Sequence, residues 1–230
     1  MSPDIVQALV SLLEAKDMST GAHTWRVVLY TRALAERAGV DHAVIARLTT
    51  AAALHDVGKI DVPHWILRKP GPLTDDERAE MQRHTVYGHE RLQRMGETDD
   101  IVLDLVRHHH ERWDGTGYPD RLKGEEISVG ARFFAVIDAF DAMTSIRPYR
   151  QDVGEQAAER ALAEIARGRG THYCPEAADF FAGLYRSGAL DWILHYFNDE
   201  APVPDLAGLH ELPAAMARRS VDEARPSDPA

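Results

Sequence analysis

Apolar residues recur at helical spacing in one segment after another, and several of these segments end at a histidine. In one segment Val44 and Leu48 lie on the stripe that leads to His55. In another, Val102 begins the stripe that leads to His109. No alternation of apolar and polar residues persists anywhere in the chain, so strands are not expected. The pattern predicts an all-α fold that delivers histidines to the ends of its helices.

Local start and stop signals divide the chain further. Thr74 followed by Glu77 is a capping box, Asp41 is a typical N-cap, and Gly39 is a typical helix terminator. The glycines and charges of Asp114–Ser128 indicate a surface loop. Together with the periodicity, these signals predict helices over about 3–16, 21–39, 42–55, 75–83 continuing past 88, 100–109, 129–143, 155–167 and 175–187.

Composition bounds the organisation of the chain. Its 230 residues, of which 44% are hydrophobic, can bury one sizeable core. We therefore expect a single domain over 1–198 and a C-terminal tail over 199–230 that is partly disordered, because its proline and charge content rises. The single cysteine, the absence of a secretory signal and the lack of an apolar run of about 20 residues favour a cytoplasmic protein.

The charge of the chain limits its partners. A net charge of -11 argues against binding nucleic acid or inserting into an anionic membrane, because both would repel the protein. It leaves room for a small anionic substrate at a local cationic pocket.

The histidines indicate a metal centre. The chain has twelve, and five of them end or punctuate successive helices on apolar faces, together with Asp56 and Asp138. Burying unpaired imidazoles and carboxylates is costly unless a cation compensates for their lost hydration. Mixed imidazole and carboxylate ligands suit Fe, Mn, Zn, Ni or Co. Seven ligands are too many for one tetrahedral ion, so we expect two ions, an arrangement that suits phosphodiester hydrolysis.

Several ordered blocks of the sequence resemble the HD-GYP group of HD-domain phosphohydrolases. His55-Asp56-Val57-Gly58-Lys59-Ile60 is similar to the signature of the group, and Gly117-Tyr118-Pro119 is the tripeptide that names it. Further blocks are Lys69-Pro70-Gly71, His109-His110-Glu111, Asp138 to Asp141, and Thr144 to Arg150. The resemblance covers residues 10–185 and implies a compact bundle of about seven helices, with extra helices at the C-terminus.

The resemblance also implies a role for each matching residue. The ligands of one ion are His23, His55, Asp56 and Asp138, and those of the other are His84, His109 and His110, with Asp56 bridging the two. Lys59 corresponds to a phosphate-contacting cation and proton donor, so the expected catalytic residues are Asp56 and Lys59. Asp141, Arg147 and Arg150 correspond to positions that approach the guanine and phosphate groups of the substrate. Fe and Mn are the expected metals, with Zn, Ni and Co as alternatives.

The activity implied by the resemblance is hydrolysis of cyclic di-GMP to pGpG, with GMP after a second cut. Two other functions stay open: hydrolysis of another cyclic dinucleotide, such as a mixed GMP-AMP ring, and a signalling module that binds a nucleotide or a protein with little turnover. A signalling protein could bind the Gly-Tyr-Pro loop, and a homodimer is also open. Some members of the group hold a third metal through a glutamate where this chain has Ser19, so two metals are expected.

Overall fold

The structure of the protein, a computed structural model, describes residues 1–17, 21–145 and 155–196. Within these ranges there is no β-strand, so the predicted all-α fold is confirmed. The helices are α1 (Pro3–Asp17), α2 (Gly21–Arg37), α3 (His42–Leu54), α4 (His64–Leu67), α5 (Asp75–Gln82), α6 (His84–Arg94), α7 (Asp100–His108), α8 (Val129–Thr144), α9 (Glu155–Arg167), α10 (Pro175–Arg186) and α11 (Asp191–Tyr196). Two short 3-10 turns lie at Val57–Ile60 and Gly124–Glu126.

The helix starts follow the predicted caps. The Asp41 carboxylate accepts a hydrogen bond from the backbone N–H of Ala43 at 2.8 Å. Thr74 and Glu77 form the complete capping box at the start of α5. Asp99, which caps α7, accepts hydrogen bonds from two backbone N–H groups of its first turn. These caps satisfy donors that the first turn of a helix leaves unpaired, and they define where each helix begins.

The core lies around α2, which packs against α3 on one side and α8 on another. Tyr30 in α2 contacts Phe140 and Phe181 edge to face, with ring centroids 5.8 and 5.9 Å apart. These rings are fully buried, as is Phe134 one turn and a half earlier in α8. Because α3 and α8 contact the same helix, the end of α3 and the middle of α8 approach each other, and His55 and Asp138 lie there.

Two parts of the chain differ from the prediction. The expected irregular connection after Ile60 contains α4, a single helical turn, and His84 opens α6 where it was expected to end the preceding helix. The residues of the predicted tail over 199–230 lie outside the described residues, so the domain boundary at 198 stays a prediction. No helix in the described part of the chain is long and apolar enough to cross a membrane.

Candidate metal centre

Six of the seven predicted metal ligands form two groups. One group contains His23, His55 and Asp56, and the other contains Asp56, His84, His109 and His110. Within each group the possible ligand atoms lie within 4.8 Å of one another. The members come from α2, the end of α3, the start of α6 and the end of α7, so only the folded bundle brings them together.

Three of the imidazoles are held in the same way. The Nδ1 atoms of His55, His84 and His109 lie 2.8 to 2.9 Å from the backbone carbonyl three residues earlier in each case. In the tautomer that this contact requires, Nδ1–H donates and Nε2 keeps its lone pair. The last turn of each preceding segment therefore aims an Nε2 lone pair at the centre, which is the arrangement that metal-binding histidines use.

The contacts of Asp56 and His84 provide a test of whether a cation fits. Asp56 Oδ1 lies 3.3 Å from His84 Nε2, and Asp56 Oδ2 lies 3.3 Å from His55 Nε2. One carboxylate thus faces both groups with different oxygens. His84 Nε2 also lies 3.3 Å from His109 Nε2. Since both Nδ1–H groups are already committed to carbonyls, two lone pairs face each other in a buried site, and a shared cation would relieve this repulsion.

The charge states of the second ligand group, which contains Asp56, His84, His109 and His110, suit metal binding. Burial lowers the pKa of His84 to about 4, although Asp56 acts in the opposite direction. Burial also lowers the pKa of His109 and that of His110. Burial alone would raise the pKa of Asp56, but Lys59 and His55 outweigh it and hold the pKa well below its ordinary value. Neutral imidazoles and an ionised carboxylate are the forms that bind divalent cations.

Asp138 lies beside the first group. Its Oδ1 is 3.8 Å from His23 Nε2 and 4.0 Å from His55 Nε2. The structure therefore brings all seven predicted ligands into one cleft, with Asp138 at a slightly greater distance than the others.

Asp141 was predicted to contact the substrate, but in the structure its side chain is buried. Asp141 has no exposed surface, and its carboxylate accepts hydrogen bonds from His23 Nδ1 at 2.8 Å and from Arg26 Nε at 2.6 Å. Ser145 also donates to it at 2.9 Å. Asp141 therefore lies behind His23 and orients its ring, and it has no free face for a guanine. Arg147 and Arg150, the other predicted substrate contacts, lie outside the described residues.

Lys59 lies at the edge of the centre, beside Asp56 and Asp17. Its Nζ is 2.6 Å from Asp56 Oδ2 and 3.3 Å from Asp17 Oδ2. Burial would lower the pKa of Lys59, but these two carboxylates outweigh burial and raise it. Lys59 therefore keeps its proton at neutral pH and can donate hydrogen bonds.

Several residues of the site were not predicted from the sequence. The Phe134 ring packs beneath His55 and His109, with centroids 5.0 and 6.2 Å away. Arg26 supplies the buried counter-charge for Asp141. Arg26 follows His23 by three residues in α2, so helical spacing places both on one face, and that spacing was the available signal.

The loop after α7 forms one wall of the site. The Tyr118 ring lies 4.9 Å from the ring of His110 and 6.4 Å from that of His84, measured between centroids. Glu111, which is 3% exposed, accepts hydrogen bonds from the backbone N–H groups of Asp120 and Leu122 at 2.7 and 3.1 Å. The histidine pair and the residue that anchors the loop are thus consecutive in the sequence.

Comparison with known proteins identifies the family. A family described as HD domain matches residues 7–177, and the chain therefore belongs to it. This match, together with the relatives below, confirms the recognition made from the sequence blocks.

The curated relatives are named as phosphodiesterases of cyclic dinucleotides. The chain is 38% identical to the 3'3'-cGAMP-specific phosphodiesterase 2 of Vibrio cholerae, over 77% of this chain and 34% of that protein. It is 39% identical to the cyclic di-GMP phosphodiesterase of Thermotoga maritima, over 79% of this chain and 49% of that protein. The chain therefore spans less than half the length of either relative.

Two solved structures share the fold. One is Bd1817 of Bdellovibrio bacteriovorus, described as an HDG"Y"P protein, with a TM-score of 0.56 and 19% identity over 71% of this chain and 51% of that chain. The other is the cyclic GMP-AMP specific phosphodiesterase V-cGAP3 of Vibrio cholerae, with a TM-score of 0.59 and 16% identity over 96% of this chain and 60% of that chain. At these identities the comparison concerns the fold alone.

Proposed function

We propose that this protein is a metal-dependent phosphodiesterase that hydrolyses cyclic di-GMP to pGpG, and on to GMP after a second cut. The observation that carries the proposal is the pair of ligand groups that share Asp56, with its two oxygens facing His84 and His55. The names of the relatives support the substrate class.

Two ions are proposed. His23, His55, Asp56 and Asp138 would hold one, and the remaining histidines, His84, His109 and His110, would hold the other with Asp56. Nitrogen and oxygen donors without thiolate suit Fe or Mn, with Zn, Ni or Co as alternatives. When bound, a pair of such ions supplies Lewis acidity that activates water and stabilises charge on phosphoryl oxygens.

The residues of the chain contribute binding and proton transfer. Protonated Lys59 donates a hydrogen bond to the scissile phosphate and can pass its proton to the leaving oxygen. Asp141 and Arg26 keep the Nε2 atom of His23 aimed at the cleft. The Tyr118 ring covers the second ligand group on one side.

Hydrolysis of a mixed GMP-AMP ring is the second candidate. A relative named for that substrate is 38% identical to the chain. With Asp141 buried, the described residues include no predicted contact to a guanine base, so the described part of the site does not distinguish the two rings. We also propose a cytoplasmic setting, which the free, buried Cys174 fits. A homodimer and a protein partner at the Gly-Tyr-Pro loop stay predictions.

The decisive experiment starts from anaerobic purification and elemental analysis, followed by incubation with cyclic di-GMP or the mixed ring and separation of products. We expect two ions per chain and formation of pGpG. Asp56→Ala should remove metal and activity together, whereas His64→Ala, a change at an exposed histidine, should leave both unaltered. Binding of the nucleotide without product in the presence of Fe or Mn would instead favour a binding module.

A further inference from the structure

Helix α1 has two apolar faces, whereas a helix at the surface of a domain ordinarily needs one. Its first face is buried against the rest of the bundle and consists of Val6, Leu9, Val10 and Leu13. Its second face, which we call the α1 seam, is exposed and consists of Ile5, Ala8, Leu12 and Ala15. At 3.6 residues per turn the centres of the two faces lie about 130° apart around the helix axis, so the contacts of α1 with its own domain leave the seam uncovered.

The residues of the α1 seam follow the spacing of a coiled coil. Successive members are three, four and three residues apart, which is the alternation of the a and d positions in a heptad. The two large members, Ile5 and Leu12, are 42% and 50% exposed. A face with this period is buried by a second helix, because a slight supercoil keeps two such faces in contact along their length. The spacing therefore indicates that the partner of the seam is a helix.

Large and small side chains alternate along the α1 seam. If two copies of the helix ran parallel, Leu12 would meet Leu12 and Ala8 would meet Ala8, so crowded layers would alternate with empty ones. If they ran antiparallel, Leu12 of each copy would lie opposite the partner's Ala8, and Ile5 opposite the partner's Ala15. Every layer would then contain one large and one small side chain, which fills the space evenly. The seam is thus complementary to itself in the antiparallel direction.

An exposed tryptophan lies at the C-terminal end of the α1 seam. Trp65, in α4, is 64% exposed. It lies one helical turn before Arg68, whose guanidinium donates hydrogen bonds to the backbone carbonyls of Ala15 and Lys16 at 3.1 and 3.0 Å. These bonds attach α4 to the end of α1. Tryptophan is one of the residues that contribute most to the stability of protein interfaces.

An exposed methionine lies at the N-terminal end of α1. Met95 is 43% exposed and lies two residues before Glu97, whose carboxylate accepts a hydrogen bond from the amino group of Met1 at 2.9 Å. Among the large exposed apolar residues of 1–17, 21–145 and 155–196, only Val129 lies away from α1 and its two ends. In an antiparallel pair the C-terminal end of one α1 meets the N-terminal end of the other, so Met95 of each copy approaches the partner's Trp65.

We propose that the α1 seam binds a second copy of this chain, as an antiparallel pair of α1 helices with a twofold axis at the level of Val10. The axis makes the interface isologous, so each contact occurs twice. The proposal is independent of the proposed function, because no metal ligand belongs to the seam. Four layers of side chains form a small interface, and we therefore expect a reversible dimer with a Kd on the order of 10 µM.

Sedimentation equilibrium of the full chain tests whether the dimer forms. Salt at about 0.15 M screens the repulsion between two chains, each of which has a net charge of -11. Between about 1 and 200 µM the average mass should rise from that of one chain toward that of two. A mass that stays at one chain throughout this range would overturn the proposal.

Charge substitutions test whether the α1 seam is the interface. Leu12→Glu places a charge in the middle of the seam and should raise the Kd of the dimer at least about 100-fold. Ile5→Lys is a second variant with the same expected result. Val129→Glu is the matched control, because Val129 is 60% exposed at the start of α8, and it should leave the Kd unaltered. All three positions are exposed, so the variants should keep the helical circular dichroism spectrum. An unaltered Kd in both seam variants, or an equal loss in the control, would refute the assignment.

Introduced cysteines test the direction of the two helices. The native Cys174 is buried, so it does not compete. Under mild oxidation, a mixture of Ile5→Cys and Ala15→Cys should form a disulfide-linked pair of the two variants, because these positions lie opposite each other and a disulfide requires Cα atoms within about 7 Å. Ile5→Cys alone should not form a disulfide, because its two copies would be about 15 Å apart along the helix axis. A disulfide in Ile5→Cys alone, in a yield equal to that of the mixture, would contradict the antiparallel arrangement.

Discussion

Gly58 lies where the 3-10 turn after Asp56 crosses the start of α6, and we predict that Gly58→Ala disrupts both the fold and the metal centre. A Cβ atom on Gly58 would lie 1.8 Å from the carbonyl oxygen of His84 and 2.3 Å from the backbone nitrogen of Gly88. Both neighbours are backbone atoms, so no change of side-chain rotamer can remove the clash. The two segments must move apart.

The size of that movement follows from ordinary contact distances. A carbon atom and a carbonyl oxygen approach each other to about 3.3 Å, so the backbones would have to separate by roughly 1.5 Å. The same crossing places Asp56 Oδ1 3.3 Å from His84 Nε2. Overpacking lowers the free energy of unfolding by up to about 3 kcal/mol. We expect Gly58→Ala to be at the upper end of this range because both contacting groups are backbone atoms. A cost of that size lowers Tm by about 6 to 12 °C in a domain of this length.

The assay combines thermal unfolding with elemental analysis. Gly58→Ala should lower Tm by that amount and reduce the metal content, because Asp56 and His84 no longer reach one ion. Gly183→Ala is the matched control: a Cβ there meets nothing within 4 Å, and Gly183 lies inside α10. That change should stabilise the protein by about 0.5 to 1 kcal/mol. A Gly58→Ala variant with an unaltered Tm and full metal content would refute the reasoning.

Three further predictions follow from the site and its supporting helices. Asp141→Asn should weaken metal binding by about 10- to 100-fold, because His23 loses the carboxylate that orients its ring. It should also lower the free energy of unfolding by about 3 kcal/mol, because an amide does not balance the charge of Arg26. An unaltered metal affinity in a competition assay would contradict the role of Asp141. Lys59→Met should lower kcat for cyclic di-GMP about 100-fold with metal content retained, and loss of metal would count against its assignment to the substrate. Asp99→Ala should cost about 1 to 2 kcal/mol in chemical unfolding without changing kcat, and unchanged stability would argue against its capping role.

The helix boundaries were predictable where a local hydrogen bond defines them. Asp41 and Thr74 each cap a helix through a contact two or three residues away, and both predictions are confirmed. The histidines at the ends of apolar stripes were predictable for a similar reason. A stripe faces the core, so a histidine that continues the stripe reaches the interior, as His55 and His109 do.

The position of Asp141 could not be predicted from local hydrogen bonds or helical spacing. Asp138 and Asp141 are three residues apart on α8, so spacing gives them nearly the same direction. Asp138 reaches the cleft, while Asp141 bonds His23 and Arg26, which lie 118 and 115 residues away in the chain. That difference depends on how α2 packs against α8, and no local pattern encodes it.

Side-chain type and helical period are enough to predict the helical class and the positions of the caps, and the resemblance to the HD-GYP group implies which histidines and aspartates meet. The packing of the helices, in contrast, makes Asp56 face two groups of ligands with different oxygens and places Asp141 behind His23. These features depend on contacts between helices distant in the chain, where a shift of about 1 Å decides whether two atoms bind or clash.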